Sequence, residues 1–128
     1  MTSEAGNATL VRLLSLSCLM AGSVSAGTWS GTLVDARCYE SAKNNHNVYD
    51  STVVRDVRLD VKLCAPKAKT RSFAIVQLDG EDIAFDSAGN AQAAQLIRHG
   101  AAESPILVVV NGEVNKKTIA VASIVQTN

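Results

Sequence analysis

Five short runs rich in β-branched and aromatic residues, with one alanine-rich segment between the third and the fourth, constrain this chain more than any other feature. In the first, residues 28–35 (TWSGTLVD), Trp29, Gly31 and Leu33 share one face and Ser30 and Thr32 the other, which is the period of a half-buried strand. Gly31 in its middle would let the strand coil sharply or let another backbone come close, as at the corner of a small barrel. Residues 72–78 (SFAIVQL) and 81–86 (EDIAFD) flank Asp79-Gly80, a pair that tolerates positive φ and predicts a two-residue hairpin turn. Residues 87–90 read as breaker and cap residues. Ala91, Ala93, Ala94, Leu96 and Ile97 then predict a helix of about three turns closed by His99 and Gly100. Pro105 opens the apolar run ILVVV, Asn111-Gly112 predicts a turn region, and Ile119, Val121 and Ile124 mark a last strand.

The order is therefore strand, insertion, strand, strand, helix, strand, strand. It predicts a mainly β domain: five antiparallel strands curled into a partly open, OB-fold-like Greek-key barrel, with one short helix between strands 3 and 4 plugging an end. An open five-stranded sheet or an SH3-like barrel with a helical decoration would use the same elements. Within the insertion at 36–71, Asn44, Asn45 and Asn47 mark a loop. Val57, Leu59, Val61 and Leu63 then alternate with Arg58, Asp60 and Lys62 as in a strand. Val53, Val54, Val57 and Val61 suit a short helix begun by Asp50 or Ser51 equally well, so residues 50–64 stay open between the two.

Residues 13–26 (LLSLSCLMAGSVSA) form an apolar run that follows Arg12 and ends in the small residues Val24-Ser25-Ala26. This is the pattern of a signal peptide at 1–26, cleaved after Ala26 to leave a single domain at 27–128 in the periplasm or secreted. The run falls short of the roughly 20 apolar residues of a membrane span, so no span is expected after cleavage. Removal of Cys18 leaves Cys38 and Cys64, an even pair in an oxidising compartment, which predicts a disulfide. With Arg12 and Glu4 set aside, the domain has eleven basic and eleven acidic side chains, and no global field draws it to nucleic acid or membrane. The charges are uneven, however: residues 36–71 carry eight Lys or Arg against four Asp or Glu.

The opening WSGTLVDARC, the later Cys64-Ala65-Pro66 and the tail VVVNGEVNKKTIAVASI resemble small exported bacterial proteins with OB-like folds, a mostly uncharacterised periplasmic or secreted group. In these a tryptophan-led strand meets a cysteine and the chain ends in a V-x-V-x-G to I-x-V-x-S-I hairpin. The resemblance spans most of residues 27–125 and implies the fold and the exported compartment. Its motifs bear on the fold and not on catalysis. Some similar proteins have additional cysteines near these positions that this chain lacks, which counts against a metal.

Asp35, Cys38, His46 and Cys64 are the right residue types for zinc, and a metal-binding domain using Cys38, His46 and Cys64 is one alternative. The cysteines are far apart with no C-x2-C pair, so the expectation is a disulfide and no metal. Asp79, Glu81, Asp82 and Asp86 flank the hairpin, where turn chemistry calls for acids. No nucleophile motif with a base and an orienting partner is recognisable, so neither an enzyme nor a cofactor is expected. Single-stranded nucleic-acid binding of the OB type needs exposed aromatics in a basic groove. Trp29, Phe73 and Phe85 are expected in the core, and nucleic acid is a lesser alternative. The leading expectation is a non-enzymatic binding or interaction module. Its contact surface would be the basic insertion, with Tyr39, Tyr49, Arg55 and Arg58 facing a small ligand or an envelope protein. The edge of an incomplete barrel would admit a second copy, so monomer and homodimer both stay open.

Overall fold

The computed structural model describes residues 25–45, 57–100 and 104–127. Residues 1–24 of the expected signal segment, with His46, Tyr49 and Arg55, lie outside the described residues. The elements are β1 (Ser25–Asp35), α1 (Ala36–Asn44), α2 (Val57–Leu63), β2 (Phe73–Val76), β3 (Asp82–Phe85), α3 (Ser87–Arg98), β4 (Leu107–Asn115) and β5 (Thr118–Gln126). The strands close into a barrel in the order β1-β2-β3-β5-β4, with α3 between the third and fourth strands in sequence. This is the OB-fold-like barrel that the order of runs predicts.

Two expectations about the barrel change. A ring with an odd number of strands cannot alternate direction at every junction, so one pair must be parallel. That junction is β3 with β5, joined only through Ala84↔Thr118 and Phe85↔Ile119. The ring is also closed and not partly open, although only Thr118 and Ile119 of β5 pair with β3 at the closing junction. Closure depends on the length of β1, which pairs with β4 from Ser25 to Thr32 and with β2 from Thr32 to Asp35. At the crossover, a Cβ on Gly31 would lie 2.7 Å from the carbonyl oxygen of Val76, the close backbone approach expected there.

Both hairpins differ in detail from the sequence reading. Between β2 and β3, the Gly80 N–H donates to the Gln77 carbonyl at 2.9 Å and the Gln77 N–H to the Glu81 carbonyl at 2.9 Å. The loop is thus three residues long, with Leu78 and Asp79 central and Gly80 in the left-handed position at φ +88°. Asn111-Gly112 is not a turn. It lies inside β4 at a bulge where the partner of Asn111 is Ser123 and that of Gly112 is Val121. Pairing of Val114 with Ile119 continues the ladder beyond it, and the chain reverses at Lys116-Lys117, with Lys116 at φ +60°. Long-range register overrides local turn preference here.

Helix α3 starts at Ser87, earlier than expected, because Asp86 is its cap. The Asp86 Oδ1 accepts the Gly89 N–H at 2.9 Å and the Val121 N–H at 3.2 Å, so one carboxylate starts the helix and seats it on β5. Asn90, inside the helix, accepts the Phe73 N–H at 2.8 Å. The helix ends at His99 and Gly100 as expected. Ala93 enters a core of Leu33, Phe73, Ile75, Phe85, Val108, Val110 and Ile119, against which Trp29 packs half-buried.

The insertion builds a second layer where an irregular loop was expected. Asp35 Oδ1 accepts the N–H groups of Arg37 at 3.0 Å and Cys38 at 3.1 Å and so starts α1. Residues 57–63 form a helix, which decides between the two readings of that stretch. All four residues of β2 are buried: Phe73 and Ile75 face the barrel, while Ala74 and Val76 join Val34, Tyr39 and Cys64 in a separate core beneath the two helices. The Cys38–Cys64 disulfide closes this layer, with its Cα atoms 5.4 Å apart.

Lys43 anchors α1 to β3 through Asp82 at 2.7 Å and also pairs with Glu40 at 3.2 Å. The hydrogen bond to Asp82, followed in weight by that to Glu40, holds the Lys43 ammonium above its ordinary value of 10.5, against opposition from partial burial. A raised folded value stabilises the protein fully below the unfolded value and loses that contribution as pH rises through the folded one. Denaturation midpoints measured upward from pH 10.5 are therefore expected to fall more steeply for wild type than for Lys43→Met; parallel curves would show that the ion pair contributes nothing.

Candidate binding site

An open groove of about 1680 Å³ lies between α2 and the outer surface of the barrel. Period-two geometry builds its floor. Residues Trp29, Gly31 and Leu33 turn inward, leaving Thr28, Ser30 and Thr32 on the outer face of β1. In β4 the same rule sends Val108 and Val110 inward and Leu107 and Val109 outward. Ser30 stands opposite Val109, and Thr32 stands between Leu107 on one side and Val76 on the other, so hydroxyl and aliphatic groups alternate across three strands. At one end the Thr28 hydroxyl donates to Asn111 Oδ1 at 2.7 Å and the Asn111 amide to the Ser123 hydroxyl at 3.1 Å, which extends the polar row to β5.

Helix α2 supplies the opposite wall through Val57 and Val61, with Arg58 and Lys62 at its rim. Leu78, fully exposed at the tip of the β2–β3 hairpin, stands at the far side. The wall is held in place from three directions. The disulfide ties its C-terminal end to α1, the Asp35 N–H donates to the Cys64 carbonyl at 2.8 Å, and Val57 and Val61 pack on the second core. The following loop is fixed by Thr70, whose buried hydroxyl donates to Asp35 Oδ2 at 3.1 Å and accepts the Lys67 N–H at 2.9 Å.

No family model, curated protein or solved structure matches this chain.

The site must accordingly be read from its own residues, and of the four contact residues expected from sequence the structure places one at the groove. Arg58 is exposed on α2 and lines the rim. Tyr39 is a correction: it is wholly buried, and its hydroxyl donates to the Gly80 carbonyl at 2.9 Å, so it offers nothing to a partner. Its place on the inner face of α1 puts the aromatic ring in the second core, with Val34, Cys64, Ala74 and Val76.

Of the candidate zinc ligands, His46 lies outside the described residues and the other three are already engaged. Cys38 and Cys64 are joined in the disulfide, and the Asp35 carboxylate is occupied by the α1 cap and Thr70. The acidic residues near the hairpin serve separate structural roles. Asp79 accepts the Glu81 N–H, Asp82 holds Lys43, and Asp86 caps α3. Among the described residues no three His, Cys, Asp or Glu side chains gather as a metal site would require, and no helix is long and apolar enough to cross a membrane.

Sequence reasoning missed the floor residues Ser30, Thr32, Leu107 and Val109, and with them Lys62. A signal was present in the consecutive apolar pairs Leu33-Val34 and the run Phe73-Ala74-Ile75-Val76, which break the alternation of a one-sided strand. Strands apolar on both faces are covered on both faces, and that cover is what makes the groove.

Proposed function

We propose that the chain is an exported, non-enzymatic binding module that takes an extended segment of an envelope protein in the groove between α2 and the outer face of β1 and β4. The observation that carries this reading is the groove itself, whose floor alternates hydroxyls with aliphatic side chains and whose rim is cationic. An extended polypeptide matches such a floor, because its amides bond to hydroxyls while alternate side chains meet Val109 and Leu107. Arg58 and Lys62 favour a segment with carboxylates. Ligands commonly bind to loops and insertions held by a rigid scaffold, and here the disulfide supplies that rigidity.

A photoreactive phenylalanine analogue placed at Ser30 or Val109 in cells tests the proposal. Discrete adducts to one protein from both positions, and none from the same analogue at Lys117 in the β4–β5 turn, are the expected result. Adducts from Lys117 but not from the groove would sink it.

A further inference from the structure

The outward face of α2 is unusual for a surface that meets only water. Helical spacing turns Val57, Asp60 and Val61 toward the protein, continuing to the buried Cys64, and leaves Arg58, Leu59, Lys62 and Leu63 on the other side. Leu59 and Leu63, one turn apart, are 51% and 65% exposed, and each follows a cation in sequence. The chain leaving α2 adds exposed Lys67, Lys69 and Arg71, and exposed Arg37 sits beside the disulfide that joins α1 to the end of α2. Among the described residues none of these six cations is in an ion pair; the pairs present belong to Lys43. Asp35, which reaches this loop through Thr70, is already committed to the α1 cap.

We infer that this face docks the protein onto an anionic lipid bilayer, with Leu59 and Leu63 entering the headgroup region and the surrounding cations pairing with lipid phosphates. Leucines interleaved with basic residues on one helical face are what an interfacial helix requires. Several basic side chains held near an anionic leaflet add their attractions over a Debye length. A protein partner fits this face less well, because the centres of protein interfaces are rich in aromatic residues and poor in lysine. This face has three lysines and, among its described residues, no aromatic side chain. Arg58 and Lys62 also stand at the groove rim, whereas Leu59 and Leu63 do not line the groove, so the leucine pair is the variant that separates this inference from the segment-binding proposal.

The test is co-sedimentation of the full chain with vesicles of equimolar phosphatidylglycerol and phosphatidylcholine, with pure phosphatidylcholine vesicles as the comparison. Binding to the anionic vesicles alone is expected, and it should disappear when salt is raised to about 0.5 M. The pairs Arg58→Glu/Lys62→Glu and Leu59→Ser/Leu63→Ser should each weaken it by about tenfold or more. Circular dichroism checks that both variants fold, and Lys67→Glu/Lys69→Glu on the loop serves if either does not. Equal binding to both vesicle types, binding indifferent to salt and to the variants, or no binding at all would overturn the inference. Sensitivity to the charge pairs without sensitivity to the leucine pair, together with competition by polyglutamate, would overturn the lipid assignment in favour of a soluble polyanion.

Discussion

Replacing Tyr39 by alanine is expected to cost about 3 to 5 kcal/mol, the range for removing a large aromatic side chain from a packed core. The ring is wholly buried among Val34, Ala74, Val76 and Cys64, so its loss leaves a hole that α1 cannot close without moving off β1 and β2. Tyr39→Phe keeps the volume and loses the hydrogen bond to the Gly80 carbonyl, at about 1 to 2 kcal/mol. Urea denaturation of the two variants separates packing from polarity. A cost below about 1 kcal/mol for the alanine variant would mean that the ring is not in a core, and Tyr39 would return as a surface contact residue.

The second large effect is expected from the disulfide. Cys38 and Cys64 are 26 positions apart, and closing a loop of that length stabilises a domain by about 3.5 kcal/mol in the chain-entropy model. Reduction, or substitution of both cysteines by alanine, should remove about that much. The loss should also be local. The layer of α1 and α2 has its own core, while Val108, Val110 and Ile119 belong to the barrel interior. Amide exchange after reduction is therefore expected to accelerate at 36–44 and 57–63 while protection persists in β4 and β5. Simultaneous loss of protection everywhere would show that the two cores unfold as one unit through the strands they share, β1 and β2. In the first case reduction also frees the groove wall without unfolding its floor.

The legibility of this fold from sequence follows the range of the interactions involved. The five runs, the order around α3 and the closing His99-Gly100 were readable because each depends on residues within a few positions of one another. The disulfide partners were readable for a different reason: with Cys18 assigned to the expected signal segment, one pairing is left to make. The Asn111-Gly112 pair misled because a preference worth little locally was outweighed by a ladder that continues past it to Asn115. The α1 helix was overlooked although Asp35 is a strong N-cap residue ahead of Ala36 and Arg37, because the asparagines further along drew the whole stretch into a loop.

The candidate site was less legible than the fold. Ser30 and Thr32 carry no mark that separates a groove floor from an ordinary solvated face, and Tyr39 in a basic stretch resembles an exposed contact residue until α1 is oriented. The sequence by itself determined five strands with one helix between the third and the fourth, because strand periodicity and the position of a helix are properties of neighbouring residues, while closure into a barrel came with the pairing of distant strands. Only the tertiary structure decided which face of the insertion turns inward, because that choice depends on Ala74 and Val76 offering an apolar outer surface some thirty positions further along the chain, and no local pattern carries information over that distance.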